Sequence, residues 1–239
     1  PTSQPMPIAV EPMSVVHAKD LRHVALRASA LAAMIMLAVL ALGIRIGVGE
    51  ASYTFLLLTL LAQMGYLAVT GGELQLVPGV AELVGSDPRV GRLLGLVALL
   101  ASNHFLAFYI NLRKRQPRMM RVMQACNAVL GLLLIVTLAT SADVVAIIGN
   151  VVLMFVTTVL VVASLVGTIN RQRPASFVLV SWLPMFGLIA WRLAELQGWI
   201  PTSEWLLYAF PAGFAVAGLV LMVGLADGMQ QLRRDRDRV

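Results

Sequence analysis

The sequence predicts an all-α integral membrane protein: a seven-transmembrane helix bundle with its N-terminus outside and its C-terminus inside. Three observations carry that prediction. Hydrophobic residues make up 59% of the 239 and charged residues 13%, against roughly 45–50% and about 25% in a soluble domain, so most of the chain has no aqueous surface to present. The apolar residues fall into seven segments long enough to cross about 30 Å of hydrocarbon as helices, and none shows the strict alternation of a barrel strand. The basic residues gather in short connections between those segments, so the net charge of +6 reports orientation and does not point to a nucleic-acid partner.

Taken in order, the chain opens on a linker and interfacial helix over 1–27. Prolines at 1, 5, 7 and 12 block helix and favour an extended segment, the expected end of a preceding domain. His17, Lys19, Asp20, Arg22, His23 and Arg27 then stand among Val and Leu, a pattern that meets lipid headgroups. The alternative of a His17/His23 metal site lacks a third ligand of suitable type nearby.

The transmembrane domain covers 28–226, with spans at 28–44, 53–70, 93–112, 122–140, 144–169, 175–191 and 205–226. The two shortest, the first and the sixth, gain length by snorkelling of Arg27, Arg45 or Arg192. Twelve of the 18 Lys and Arg lie at 45, 113–121, 171–173 and 233–238, and six lie on the other side, which places the first set inside by the positive-inside rule. The longest connection, 71–92, lies outside with Glu73, Glu82 and Asp87. In the last outer loop Gly198 is read as a helix stop, Trp199 as an interface anchor and Thr202 or Ser203 as an N-cap.

Residues 227–239 continue the seventh span with no Gly-Pro break. Leu225, Met229, Leu232 and Val239, with Arg236 at the polar core position, are spaced as a heptad seam, so a parallel homodimer joined along that seam is expected. A solvated basic tail is the other reading, because barely two heptads are present. The chain begins with Pro and stops in mid-pattern, and the expectation is a piece of a longer protein. The single cysteine, Cys126, is read as a small buried hydrophobe.

Chemistry-bearing residues are few. His104 is the one ionisable side chain deep in a span, beside Ser102 and Asn103, with Gln63 at comparable depth in the second span and Thr157 and Thr158 in the fifth. Gln63, Asn103 and His104 are candidate ligand-binding residues lining a polar cavity; the alternative is hydrogen bonding that fixes the bundle. Lys19 and Lys114, the only lysines, lie outside the hydrocarbon, so a retinal Schiff base has no attachment point. Haem ligation by two histidines, a catalytic metal motif and paired intramembrane aspartates are all missing. No catalytic residue, no metal site and no cofactor is predicted. Arg192 and Glu195 read as a rim salt bridge, and Pro184 and Pro211 as hinges or static kinks.

The order of features resembles the membrane region of the bacterial seven-transmembrane receptors with diverse intracellular signalling modules. The resemblance rests on YTFLLLTLLAQMGYLAVTGGE, on HFLAFYINLRKRQPRMMRVMQ, and above all on RLAELQGWIP followed by the seventh span and GLADGMQQLRRDRDR. Gly228 departs from it, standing where that family usually has Arg. The resemblance implies a multi-pass sensor in the bacterial inner membrane, its N-terminus periplasmic and its C-terminus cytoplasmic. It also implies partners in the full-length chain: a periplasmic sensor domain, and a cytoplasmic output domain, commonly a diguanylate cyclase or histidine kinase. The competing readings are a small-solute transporter or channel, which would use the midplane polar residues, and a structural anchor.

Overall fold

The computed structural model describes residues 13–76, 79–81, 87–201 and 203–236. Seven helices among them are long and apolar enough to cross a membrane: α1 (Met13–Val48), α2 (Ala51–Gly71), α3 (Pro88–Tyr109), α4 (Pro117–Ala139), α5 (Asp143–Ile169), α6 (Arg173–Leu196) and α7 (Glu204–Arg236). Short turns of helix at Glu73–Leu76 and Leu112–Arg115 stand between them, and no strand occurs among the described residues.

Local chemistry explains the boundaries. No proline interrupts 13–48, so the interfacial helix leads into the first span without a break, as one helix of 36 residues, about 54 Å long. Gly72 closes α2 at φ 82°, donating its N–H to the Val69 carbonyl. The third span starts earlier than its apolar run because the Asp87 carboxylate accepts the Arg89 N–H and Pro88 occupies the first turn. Asn111 and Arg171 take left-handed conformations, φ 55° and 56°, where the chain turns at the basic end. Gly198, at φ 75°, follows α6 as the helix stop read from the sequence; Thr202, offered as a cap for α7, lies outside the described residues. Helices α6 and α7 continue through Pro184 and Pro211.

The helices form a ring in chain order, each packed on the next, and α1 also packs along α7 to close it. Helices α3 and α5 touch across the interior, as do α2 and α7. Each helix gives the core at least one nearly inaccessible side chain, among them Met34, Leu56, Phe105, Met123, Leu160, Met185 and Leu225. The opposite faces of α1, α4 and α5 expose Met36, Ile46, Leu132, Ile135, Ile147 and Val151. Such a surface would aggregate in water. Against lipid tails it carries no such penalty.

Candidate functional site

The polar residues of the spans do not converge. The Asn103 amide donates to the Asn127 side chain at 2.8 Å, tying α3 to α4. His104 turns the other way: its Nδ1 lies 2.9 Å from the Leu100 carbonyl, and its ring stacks on Phe55 of α2, which stacks in turn on Phe108. Gln63 faces a third direction, toward an almost closed cavity of about 10 Å³ that Thr59, Ser181 and Trp182 also line. That volume holds about one water. Thr157, Thr158 and Ser102 return their hydroxyls to carbonyls four residues back in their own helices, so they leave no polar path through the bundle.

The residues that do converge surround α7. Near its start Tyr208 meets the ring of His23 on α1, centroids 5.3 Å apart. Further along, glycines admit neighbours that a side chain would push away. A Cβ on Gly213 would meet the Met185 sulfur at 2.8 Å, and one on Gly218 would meet Leu60 at 2.9 Å and Leu37 at 3.1 Å. At Gly224 it would meet Phe177 and the Tyr109 hydroxyl, both at 2.7 Å. Helix α7 is therefore gripped at successive depths by α6, by α1 and α2, and by α3 and α6, then runs on unbroken to Arg236. Leu225, the first residue of the expected seam, is 3% exposed in this bundle's own core, so within the single chain it seats α7. Nothing is described of the Met229 and Leu232 side chains, and Val239 lies outside the described residues.

Two ionic clusters fasten the end of the bundle at which α1 and α7 begin. Arg27, its side chain 11% exposed, binds Glu73 at 2.5 Å and also donates to the Leu67 carbonyl, so α1 is tied to the end of α2. Burial alone would push the Glu73 carboxyl up. Hydrogen bonds from Arg27 and from the Glu73 backbone, with the charges of Arg27 and His23, outweigh that and hold it below the ordinary value. Glu195, predicted as half of a rim salt bridge, is more deeply set than a rim residue: its side chain is 1% exposed. It accepts from Arg192 at 3.1 Å and from the Ser203 backbone N–H at 2.9 Å, which fixes the loop into α7.

Sequence reasoning singled out neither Asn127 nor the Arg27–Glu73 pair nor the three glycines. Only the glycines left a signal, as the smallest residues of a span that also holds Ala209, Ala212, Ala215, Ala217 and Ala226. Among the described residues no three His, Cys, Asp or Glu side chains stand together to hold a metal.

A ring of seven membrane-length helices defines a multi-pass membrane protein. The chain belongs to the 7TM diverse intracellular signalling family, whose model matches residues 25–228. It is thus a signalling-family membrane domain that is not itself catalytic. No curated protein and no solved structure matches the chain.

Proposed function

We propose that this domain is the transmembrane relay of a bacterial inner-membrane receptor. A change received at the periplasmic end through α1 shifts α7, and α7 carries it to a cytoplasmic output domain, a diguanylate cyclase or histidine kinase, in a parallel homodimer. The observation that carries this reading is the course of α7: one helix of 33 residues, about 50 Å long, gripped within the ring and continuous beyond it. Packed helices move between discrete arrangements and do not deform smoothly. A displacement at the His23–Tyr208 contact thus has a stiff route to the far end. Because α1 and α7 are neighbours, the first helix acts on the last without an intermediary.

The test is disulfide cross-linking in native membranes, with Cys126→Ala as background and single cysteines placed from 225 to 236. Cross-links at 229, 232 and 236 but not at 225 are expected, since Leu225 is enclosed by its own bundle. Uniform or absent cross-linking would sink the dimeric relay. No observation favours the transporter reading: Gln63, Asn103 and His104 face three different neighbours.

A further inference from the structure

At the basic end, two turns that are distant in sequence lie side by side. Gln116 is the N-cap of α4 and Gln172 the N-cap of α6, and neither side chain caps its own helix. Both are buried, 9% and 8% exposed, yet Gln116 Nε2, Gln116 Oε1 and Gln172 Oε1 have no hydrogen-bond partner. They converge beside Gly167 of α5, where a Cβ would lie 3.4 Å from Gln116 Nε2 and 3.4 Å from Gln172 Oε1. The same Cβ would meet Ala175 at 2.5 Å, so it is the absence of a side chain at 167 that lets the turns come together. Buried amides left unpaired are costly, and their persistence points to a ligand that pairs them.

The surroundings specify its charge. Two helix N-termini present the positive ends of their dipoles, although Pro117 and Pro174 supply no N–H and the Ala175 N–H is bonded to the Gln172 carbonyl. Neither first turn holds an acidic residue. Five exposed cations between Arg113 and Arg121 flank one turn and the exposed Arg171 and Arg173 the other, with no Asp or Glu in 111–121 or 170–174. We propose that this pair of turns forms a phosphate-binding site, taken by the headgroup of a membrane phospholipid. Phosphate oxygens accept from Gln116 Nε2 and the guanidiniums, and the helix dipoles favour their charge. The two amide oxygens need donors, which a headgroup bearing hydroxyls supplies. Ser176, one helical turn beyond Gln172, begins an apolar groove of about 340 Å³ between α6 and α7 that suits an acyl chain. This favours a lipid over soluble phosphate as the source.

The test uses the whole chain purified in detergent, with lipid retention read by native mass spectrometry and the unfolding midpoint read on adding one of three probes. These are phosphatidylglycerol, phosphatidylcholine (whose headgroup has no hydrogen-bond donor) and inorganic phosphate. Phosphatidylglycerol is expected to be retained and to raise the midpoint more than phosphatidylcholine does. Gln116→Glu and Gln172→Glu, nearly the same size but negative, are expected to weaken its binding about tenfold each. Arg171→Gln and Arg173→Gln, exposed and harmless to packing, weaken it too and serve if the Glu variants fail to fold. Equal response to the two lipids, or equal binding by wild type and all four variants, overturns the site. A rise with inorganic phosphate matching that with phosphatidylglycerol keeps the phosphate site and overturns the lipid as its source.

Discussion

The two ends of the bundle are built on opposite principles. Where α1 and α7 begin, the buried or half-buried charges are matched: Arg27 to Glu73 and the Leu67 carbonyl, Glu195 to Arg192 and the Ser203 N–H. At the basic end, where α7 leaves the ring, the buried polar atoms that lack partners collect: the hydroxyls of Tyr53 and Tyr109 and the amides of Gln116 and Gln172. A satisfied polar cluster has one good arrangement and resists change, whereas unsatisfied groups gain from any rearrangement that pairs them. The difference teaches where polar groups stand to gain from rearrangement: those at the first end are already paired, and those at the second are not.

Substitutions can break or sharpen that contrast. The largest effect is expected at Gly224, where even a methyl group collides with Phe177 and Tyr109. Gly224→Leu should destabilise the bundle by about 3 kcal/mol in detergent unfolding, while Gly228→Ala, in open space, should hold or gain up to about 1 kcal/mol. If both substitutions cost the same, α7 is not gripped at Gly224. Next in size, Arg27→Ala leaves Glu73 and the Leu67 carbonyl without their donor and should cost about 2 kcal/mol, measured as a loss of unfolding midpoint. Hydrogen exchange should localise the loosening to the start of α1.

Acid should act at the same place. The folded Glu73 carboxyl titrates below its ordinary 4.5, so its contribution is complete above that value and is lost as pH falls through the lower folded one. Unfolding midpoints from pH 7 down to 3 should therefore fall more steeply for wild type than for Glu73→Gln. Parallel curves would show that the pair contributes nothing. The smallest effects belong to the unpartnered hydroxyls: Tyr53→Phe and Tyr109→Phe remove only these groups and should change stability by less than about 1 kcal/mol, in either direction. A loss as large as that of Arg27→Ala would mean the two ends are alike after all.

The number of spans was legible in the sequence because hydrocarbon thickness imposes a length that composition alone reveals. The charges of 17–27 read as an interfacial helix leading into the first span, and with no Pro between 13 and 48 to end it the two form one helix. Leu225 shows a deeper limit. Its heptad spacing is real, but periodicity says only that one face is apolar, not whether the partner is another protomer or its own bundle, and here the bundle covers it. Asn127 was invisible because its significance lies in the reach of Asn103 from another helix. Gln116 and Gln172 were not singled out from the sequence. Their burial depends on the close packing of Gly167 against Ala175, a tertiary fact with no local signature.

Closing the ring by packing α1 on α7 also constrains how the bundle is made. During synthesis α1 is delivered six helices before α7, and the face it turns toward α7, including Leu37, has no partner until the ribosome has delivered the seventh helix. A nascent chain stalled before residue 204 holds an unsealed α1, which sets it apart from the closed ring.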